Sequence, residues 1–152
     1  MDYGVLPPIR HLLLNHNNKL ILKESCWAIS NITAGSKEQI QSVIDANLIP
    51  SVVQLVDTND FEVKREAVWV LRNAIKGGTP KQFEYLINHG VVKALCNTLL
   101  VKDIETIRVA LEGIVYILER GEFIGANNYT HLIEEANGLD HLKKLQFHSN
   151  HI

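Results

Sequence analysis

The chain repeats itself, and that repeat restricts its fold more than any single motif does. Trp27 and Trp69 are 42 residues apart, and Pro7 and Pro50 are 43 apart. Val5-Leu6-Pro7, Leu48-Ile49-Pro50 and Val91-Val92-Lys93 open equivalent segments, and Gly138-Leu139 opens a fourth. Gly4, Asn47, Gly90 and Gly138 mark these starts, where a residue that enters left-handed backbone cheaply is expected. Asn31-Ile32-Thr33-Ala34-Gly35-Ser36 matches Asn73-Ala74-Ile75-Lys76-Gly77-Gly78-Thr79. A unit this small cannot bury its own apolar face, so neighbouring units must stack.

Helix signals recur at the same period. Ser36-Lys37-Glu38-Gln39 reads as a capping box, with Ser36 as N-cap and Gln39 three residues on. Thr79-Pro80-Lys81-Gln82 repeats it, with Pro80 at the favoured first helical position. Each opens a short helix, near 37–46 and 80–89. A second helix follows, near 48–57 and 91–101. A third and longer one runs near 62–76, with counterparts near 19–34 and 104–120. Gly77-Gly78 reads as a helix C-cap. Helical units of this length lie in the armadillo and HEAT range, and three helices per unit favours armadillo.

The expected architecture is therefore an all-α, right-handed armadillo superhelix. Its parts are a partial repeat over 1–35, repeats over 36–78 and 79–121, and a partial repeat over 122–152. The last unit supplies helices near 129–136 and 138–147. The array reads as cut at both ends, a piece of a longer one, and residues 121–128 read as a mobile inserted loop.

Composition narrows the function. Apolar residues make up 46% of the 152, enough for a packed core, and a net charge of −2 gives no sign of nucleic-acid binding. Cys26 and Cys96 fall on or beside apolar helix faces and read as reduced, buried thiols. Met1-Asp2-Tyr3-Gly4 does not read as a secretory leader, and no apolar run approaches the roughly 18 residues of a membrane span. An intracellular protein is expected. His11, His16, His89, His131, His141, His148 and His151 form no ligand pair of the H-x₃-H or H-E-x-x-H kind. No phosphate-binding loop, nucleophile elbow or dinucleotide fingerprint is present in the sequence. Neither an enzyme, a metal nor a cofactor is expected.

What remains is a surface. Glu24, Trp27 and Asn31 lie within about 60° of one another on a helix, and Glu66, Trp69 and Asn73 repeat the pattern. The predicted apolar stripe lies opposite: Ile21, Leu22, Ile29 and Ile32 on one helix, Val63, Ala67, Leu71 and Ala74 on the other. Both tryptophans are expected to point away from the core, as a ladder of indoles and amides. Indole walls suit an aliphatic stem ending in a cation. Asn pairs with an extended main chain, and Glu24 and Glu66 offer charge to a Lys or Arg head. The plainer alternative is that Trp packs at a repeat interface while Asn bonds a neighbouring helix.

The segments Lys23-Glu24-Ser25-Cys26-Trp27-Ala28-Ile29-Ser30-Asn31-Ile32-Thr33-Ala34-Gly35 and Lys64-Arg65-Glu66-Ala67-Val68-Trp69 resemble importin alpha, the adaptor family that carries nuclear localisation signals. Gln39-Ile40-Gln41-Ser42-Val43-Ile44-Asp45, Lys76-Gly77-Gly78-Thr79 and Ile133-Glu134-Glu135-Ala136-Asn137-Gly138-Leu139 extend the resemblance over nearly the whole chain. The order of motifs is similar to that family's seventh to tenth armadillo repeats. The resemblance implies the minor signal-binding site, lined by Trp27 with Asn31 and Trp69 with Asn73. Ser30 and Glu66 match positions that contact the basic side chain, and Glu24 matches an acidic position of the same surface. The implied partners are basic nuclear localisation signal peptides and the export receptor that recycles importin alpha. Importin beta is implied only through an N-terminal arm that this sequence does not contain. The implied localisation is cytoplasm and nucleus.

Departures from the family pattern sharpen the reading. Arg72 stands where the family usually has a small residue, and is expected to repel a ligand cation or to pair with Glu66. Glu112 and Tyr116 replace Trp and Asn in the third unit, so the ladder is expected to stop there. Two other readings stand beside the adaptor fragment: a catenin-type interaction scaffold, and a truncated remnant without adaptor activity.

Overall fold

Local chemistry sets the helix boundaries. The Ser36 hydroxyl accepts from the Gln39 amide while Gln39 Oε1 accepts from the Ser36 amide, and Thr79 and Gln82 form the same reciprocal pair. Asn18, Asp60 and Asp103 accept from the first-turn amides of the three long helices. Proline occupies the first turn of three other helices, where its missing N–H costs nothing. The computed structural model describes residues 4–15, 17–58, 60–123 and 128–146, the side chains of residues 122, 123 and 128 apart.

Those residues form helices α1 (Leu6–Asn15), α2 (Lys19–Thr33), α3 (Lys37–Asp45), α4 (Ile49–Val56) and α5 (Phe61–Gly77). They continue as α6 (Pro80–Asn88), α7 (Val91–Thr98), α8 (Ile104–Phe123), α9 (Asn128–Glu135) and α10 (Gly138–Gln146). No strand occurs among the described residues. Helices α3–α5 and α6–α8 are two complete triplets. Helices α1–α2 supply the second and third positions of a preceding unit, and α9–α10 the first and second of a following one.

The long third helices stack side by side, α2 on α5 and α5 on α8, and this is the most extensive packing in the molecule. One continuous core runs beneath them, through Ile29, Leu71, Ile75, Ile107 and Ile117, and into the shorter helices through Ile40, Ile49, Leu86 and Leu95. Polar ties cross from unit to unit. Thr33 Oγ1 donates to the Val70 carbonyl, Asn73 Nδ2 to the Ser30 carbonyl and Arg120 Nη2 to the Gly78 carbonyl. The His141 ring donates to the Cys96 carbonyl. Gln82 Nε2 reaches both the Lys37 carbonyl and Gln41 Oε1, each at 2.9 Å.

Four expectations shift. On α2 only Ile29 of the expected stripe is fully buried. Ile21, Leu22 and Ile32 are half-buried, while Ser25, Cys26, Ser30 and Thr33 go inside. The buried face is turned toward α5, and small residues let the two backbones approach. Asn47 and Gly90 take the left-handed backbone expected of them, but in the last unit the left-handed residue is Asn137, with φ 59°. Gly138 serves a different need: a Cβ there would lie 2.8 Å from the Ile133 carbonyl and 2.9 Å from Cys96 Sγ. Gly78 does cap α5, in extended rather than left-handed backbone. Finally, residues 121–123 continue α8 and Asn128 already opens α9, so the ends of the expected loop are helical; residues 124–127 lie outside the described set.

Gln82 both caps α6 and ties it to α3. Gln82→Ala removes a cap and two side-chain hydrogen bonds, so it should lower stability by about 1–3 kcal/mol in urea denaturation. Lys81→Ala, one residue away and exposed, should change it by less than about 0.5 kcal/mol.

Candidate peptide-binding surface

Helices α2 and α5 carry the two Glu-x-x-Trp-x-x-x-Asn patterns and lie against each other, so the candidate residues come to one surface from adjacent helices. Their environments differ. Trp27 is 53% exposed, and among the described residues no ring or cation stacks on it. Asn31 is exposed, with no side-chain hydrogen bond among the described residues, and Glu24 is exposed one turn earlier. Ser30 is buried, and its hydroxyl donates 2.7 Å back to the Trp27 carbonyl. It therefore forms the floor beside Trp27 rather than a projecting contact.

Glu66 is half-buried on α5. Burial raises its carboxyl pKa above the ordinary value, opposed by the charges of Arg65 and Lys23 and reinforced by Glu24 and Glu62. Lys23 makes its ion pair elsewhere, with Glu62 at 3.4 Å. Among the described residues Glu66 thus has no directly paired cation. A desolvated carboxylate left in that state is a receptor for positive charge.

The second unit is already engaged. Trp69 is half-buried and packs on the core, contrary to the expectation that both indoles point away from it. Helix α5 is flanked on both sides, so its outward face is narrowed by side chains from α8. The Arg72 guanidinium lies 5.5 Å from the Trp69 ring and 5.5 Å from the Tyr116 ring. Its Nε and Nη2 donate to Glu112 Oε2 at 2.9 and 2.7 Å. The other carboxylate oxygen of Glu112 accepts from Arg108. Arg72 therefore pairs with Glu112 and not with Glu66. Arg72 Nη1 donates to Asn73 Oδ1 at 3.1 Å while Asn73 Nδ2 donates to the Ser30 carbonyl, so both ends of that amide are held inside the protein. For Asn73 the plainer expectation, an amide bonding its neighbour helix, describes the geometry.

The seven predicted site residues thus divide. Glu24, Trp27, Asn31 and Glu66 present an open acidic and aromatic surface above Ser30. Trp69 and Asn73 belong to a closed cluster with Arg72, Tyr116 and Glu112. Sequence reading treated Glu112 and Tyr116 as the end of the ladder and missed that they close on Arg72. It also missed a cleft of about 860 Å³ where α5 and α8 end and α6 and α9 begin. Lys37, Lys76, Lys81 and Arg120 line that cleft together with Glu84 and Glu119, and none of the four cations is ion-paired among the described residues. Its sequence signal was the cluster Lys76, Lys81 and Arg120 about the Gly77-Gly78 break, brought together only by stacking.

No group of three or more His, Cys, Asp or Glu among the described residues is arranged to hold a metal, and no described helix is long and apolar enough to cross a membrane. Beneath the surface, burial and the neighbouring Glu66 charge push the Cys26 thiol up to about 12, and burial pushes Cys96 up to about 11.

The Armadillo/beta-catenin-like repeat family matches residues 1–34, 36–75 and 79–119, and the chain belongs to that family. Importin subunit alpha-5 of Arabidopsis thaliana is 47% identical over 91% of this chain and 27% of its own length. Importin subunit alpha-1b of Oryza sativa subsp. japonica is 45% identical over 99% of this chain and 29% of its own length. The chain therefore spans under a third of these relatives. Among solved structures, the designed armadillo repeat protein YIII(Dq.V1)4CPAF in complex with peptide (KR)4 superposes with a TM-score of 0.83 at 36% identity, covering 97% of this chain and 59% of that one. The family match and these relatives make the chain an armadillo-repeat protein, similar over most of its own length to importin alpha subunits.

Both thiols should be protonated and inaccessible at pH 8. An aromatic disulfide reagent should therefore leave Cys26 and Cys96 unmodified in the native chain and titrate both in denaturing urea. Rapid reaction of Cys26 without denaturant would show that α2 opens away from α5.

Proposed function

We propose that this chain is part of a nuclear-import adaptor of the importin alpha type, and that its α2/α5 surface captures extended basic peptides of the nuclear-localisation-signal kind. The observation that carries this reading is the open set on two adjacent helices: among the described residues Trp27 is unstacked, Asn31 makes no side-chain hydrogen bond, and the half-buried Glu66 has no paired cation. The indole takes the aliphatic stem of a Lys or Arg, Glu66 and Glu24 attract its head, and Asn31 bonds the peptide main chain. Capture is reversible and involves no covalent step. The names of the relatives and the basic (KR)4 ligand of the designed armadillo protein support the same ligand sign. An adaptor of this kind works in both cytoplasm and nucleus. The proposal extends to recycling by an export receptor and, through an N-terminal arm of the kind the family carries, to importin beta.

The catenin-type reading, with an acidic ligand, draws on a different observation: the unpaired cations of the Lys37, Lys76, Lys81 and Arg120 cleft. A direct comparison separates the two. A Lys-Lys-Arg-Lys peptide should bind with a Kd on the order of 10–1000 μM, weakening with salt, because few contacts must offset the cost of association. An acidic peptide of equal length should not bind; the reverse preference would move the function to the cleft. Trp27→Ala should cost about 1–2 kcal/mol of binding with the melting temperature kept. Trp69→Ala should lower the melting temperature as well, because that indole packs on the core.

Binding should also report Glu66. Its folded pKa is raised, so ionisation becomes incomplete at a higher pH than for an ordinary carboxylate. A bound cation favours the ionised form, so affinity should fall as pH drops through that raised value, with proton uptake on release of the peptide. In the free protein the sign is opposite: the stability contribution is full below the ordinary carboxylate pKa and is lost as pH rises through the raised one. Glu66→Gln should weaken binding at pH 7 and flatten its pH dependence, measured by tryptophan fluorescence titration.

A further inference from the structure

Arg72 holds in the second unit the place that Ser30 holds in the first, 42 residues earlier. Ser30 folds back onto its own helix and reaches nothing beyond it. Arg72 reaches across to α8, where its side chain is only 15% exposed. What surrounds its guanidinium is a full set of cation-recognition groups: the Trp69 face, the Tyr116 face, one Glu112 oxygen taking two N–H bonds, and the Asn73 carbonyl oxygen. Two aromatic faces and a carboxylate are what a ligand's Arg or Lys would need.

We infer that Arg72 is a built-in occupant of the α5/α8 cation slot, and that it thereby determines specificity by confining a ligand's basic side chains to the Trp27 and Glu66 side. The inference rests on the function proposed above. The physical reason is tethering. A side chain anchored on α5 presents its guanidinium to the slot at an effective concentration of millimolar or higher, while a weak peptide ligand competes at its free concentration. Glu112 adds no free attraction either, since Arg72 holds one of its oxygens and Arg108 the other. The chain thus carries two Trp and two Asn in register but offers one open slot.

The test uses the whole 152-residue chain and a Lys-Lys-Arg-Lys peptide, followed by calorimetry. Arg72→Ser vacates the slot and frees one Glu112 oxygen. Peptide affinity should rise about three- to tenfold, the range of one cation–π contact with a partly screened charge. Arg72→Gln fills most of the space without charge and should give a smaller gain in the same direction, which serves if the serine variant melts too early. Adding Glu112→Gln to Arg72→Ser should reduce the gain to the part that the two aromatic faces supply. An Arg72 that is only an interhelical staple would change the melting temperature and leave affinity unchanged. Unchanged or weaker affinity in folded Arg72→Ser or Arg72→Gln, with the parent chain binding, overturns this inference alone. Absence of binding by the parent chain and every variant overturns it together with the proposed function.

Discussion

The lateral packing of α2 on α5 on α8 is the contact from which the rest of the structure follows. It needs close backbones, and the sequence supplies them with Ser25, Ser30 and Thr33 on α2, Ala67 and Ala74 on α5, and Thr106, Ala110 and Gly113 on α8. On the side of α8 that meets α7, a Cβ at Gly113 would lie 2.9 Å from Leu95 Cδ1, so the Leu95 side chain would have to shift to admit a methyl. The buried hydroxyls of Ser30 and Thr106 find partners on their own helix or its N-cap, and that of Thr33 reaches one unit on. Thr33 donates to the Val70 carbonyl and Thr98 to the Ala94 carbonyl. No buried polar side-chain atom among the described residues lacks a hydrogen bond. Each unit completes its core only against its neighbour, so stability accumulates along the array as nearest-neighbour contributions.

The same packing creates the functional face. Once one side of each long helix is buried, its other side forms a strip whose chemistry is set residue by residue. On α2 that strip holds Glu24, Trp27 and Asn31, all three exposed. On α5 the neighbouring α8 contributes Tyr116 and Glu112, and a single long side chain, Arg72, converts an open strip into a closed cluster. An open strip and a closed cluster on α5 therefore differ by the reach of Arg72 to its two partners on α8, Glu112 and Tyr116.

How much of this is legible in sequence depends on the reach of each interaction. Capping boxes at Ser36 and Thr79 are closed within three residues, and the helix starts they predict are the ones found. Helix type and order follow from apolar spacing that each segment carries alone. The partner of Arg72 does not. Glu66 is six residues back on the same helix, about 9 Å along the axis and about 120° around it. Glu112 is 40 residues away in sequence and within hydrogen-bonding distance in space. The setting of Trp69 was hidden for the same reason: the Arg72 guanidinium beside its ring is held there by Glu112 of α8. The open half of the candidate surface was readable because none of its side chains depends on a neighbour; the closed half was not.

Under the proposed function, selection of a cation at the open half turns on how negative charge is distributed. Glu112 is neutralised by two arginines, and Glu62 by Lys23. Glu24 is exposed and screened within about 8 Å at physiological salt. Glu66 remains as the acid that is both partly removed from water and unpaired. Its ionised form is disfavoured in the free protein, as its raised pKa records. Pairing with a ligand cation relieves that penalty, and the relief exists only in the complex. A Glu moved to full exposure would remove the strain and much of the attraction together, because a solvated carboxylate gains little from an exposed pair. The cost to stability and the proposed preference for a basic ligand are therefore two readings of one half-buried charge.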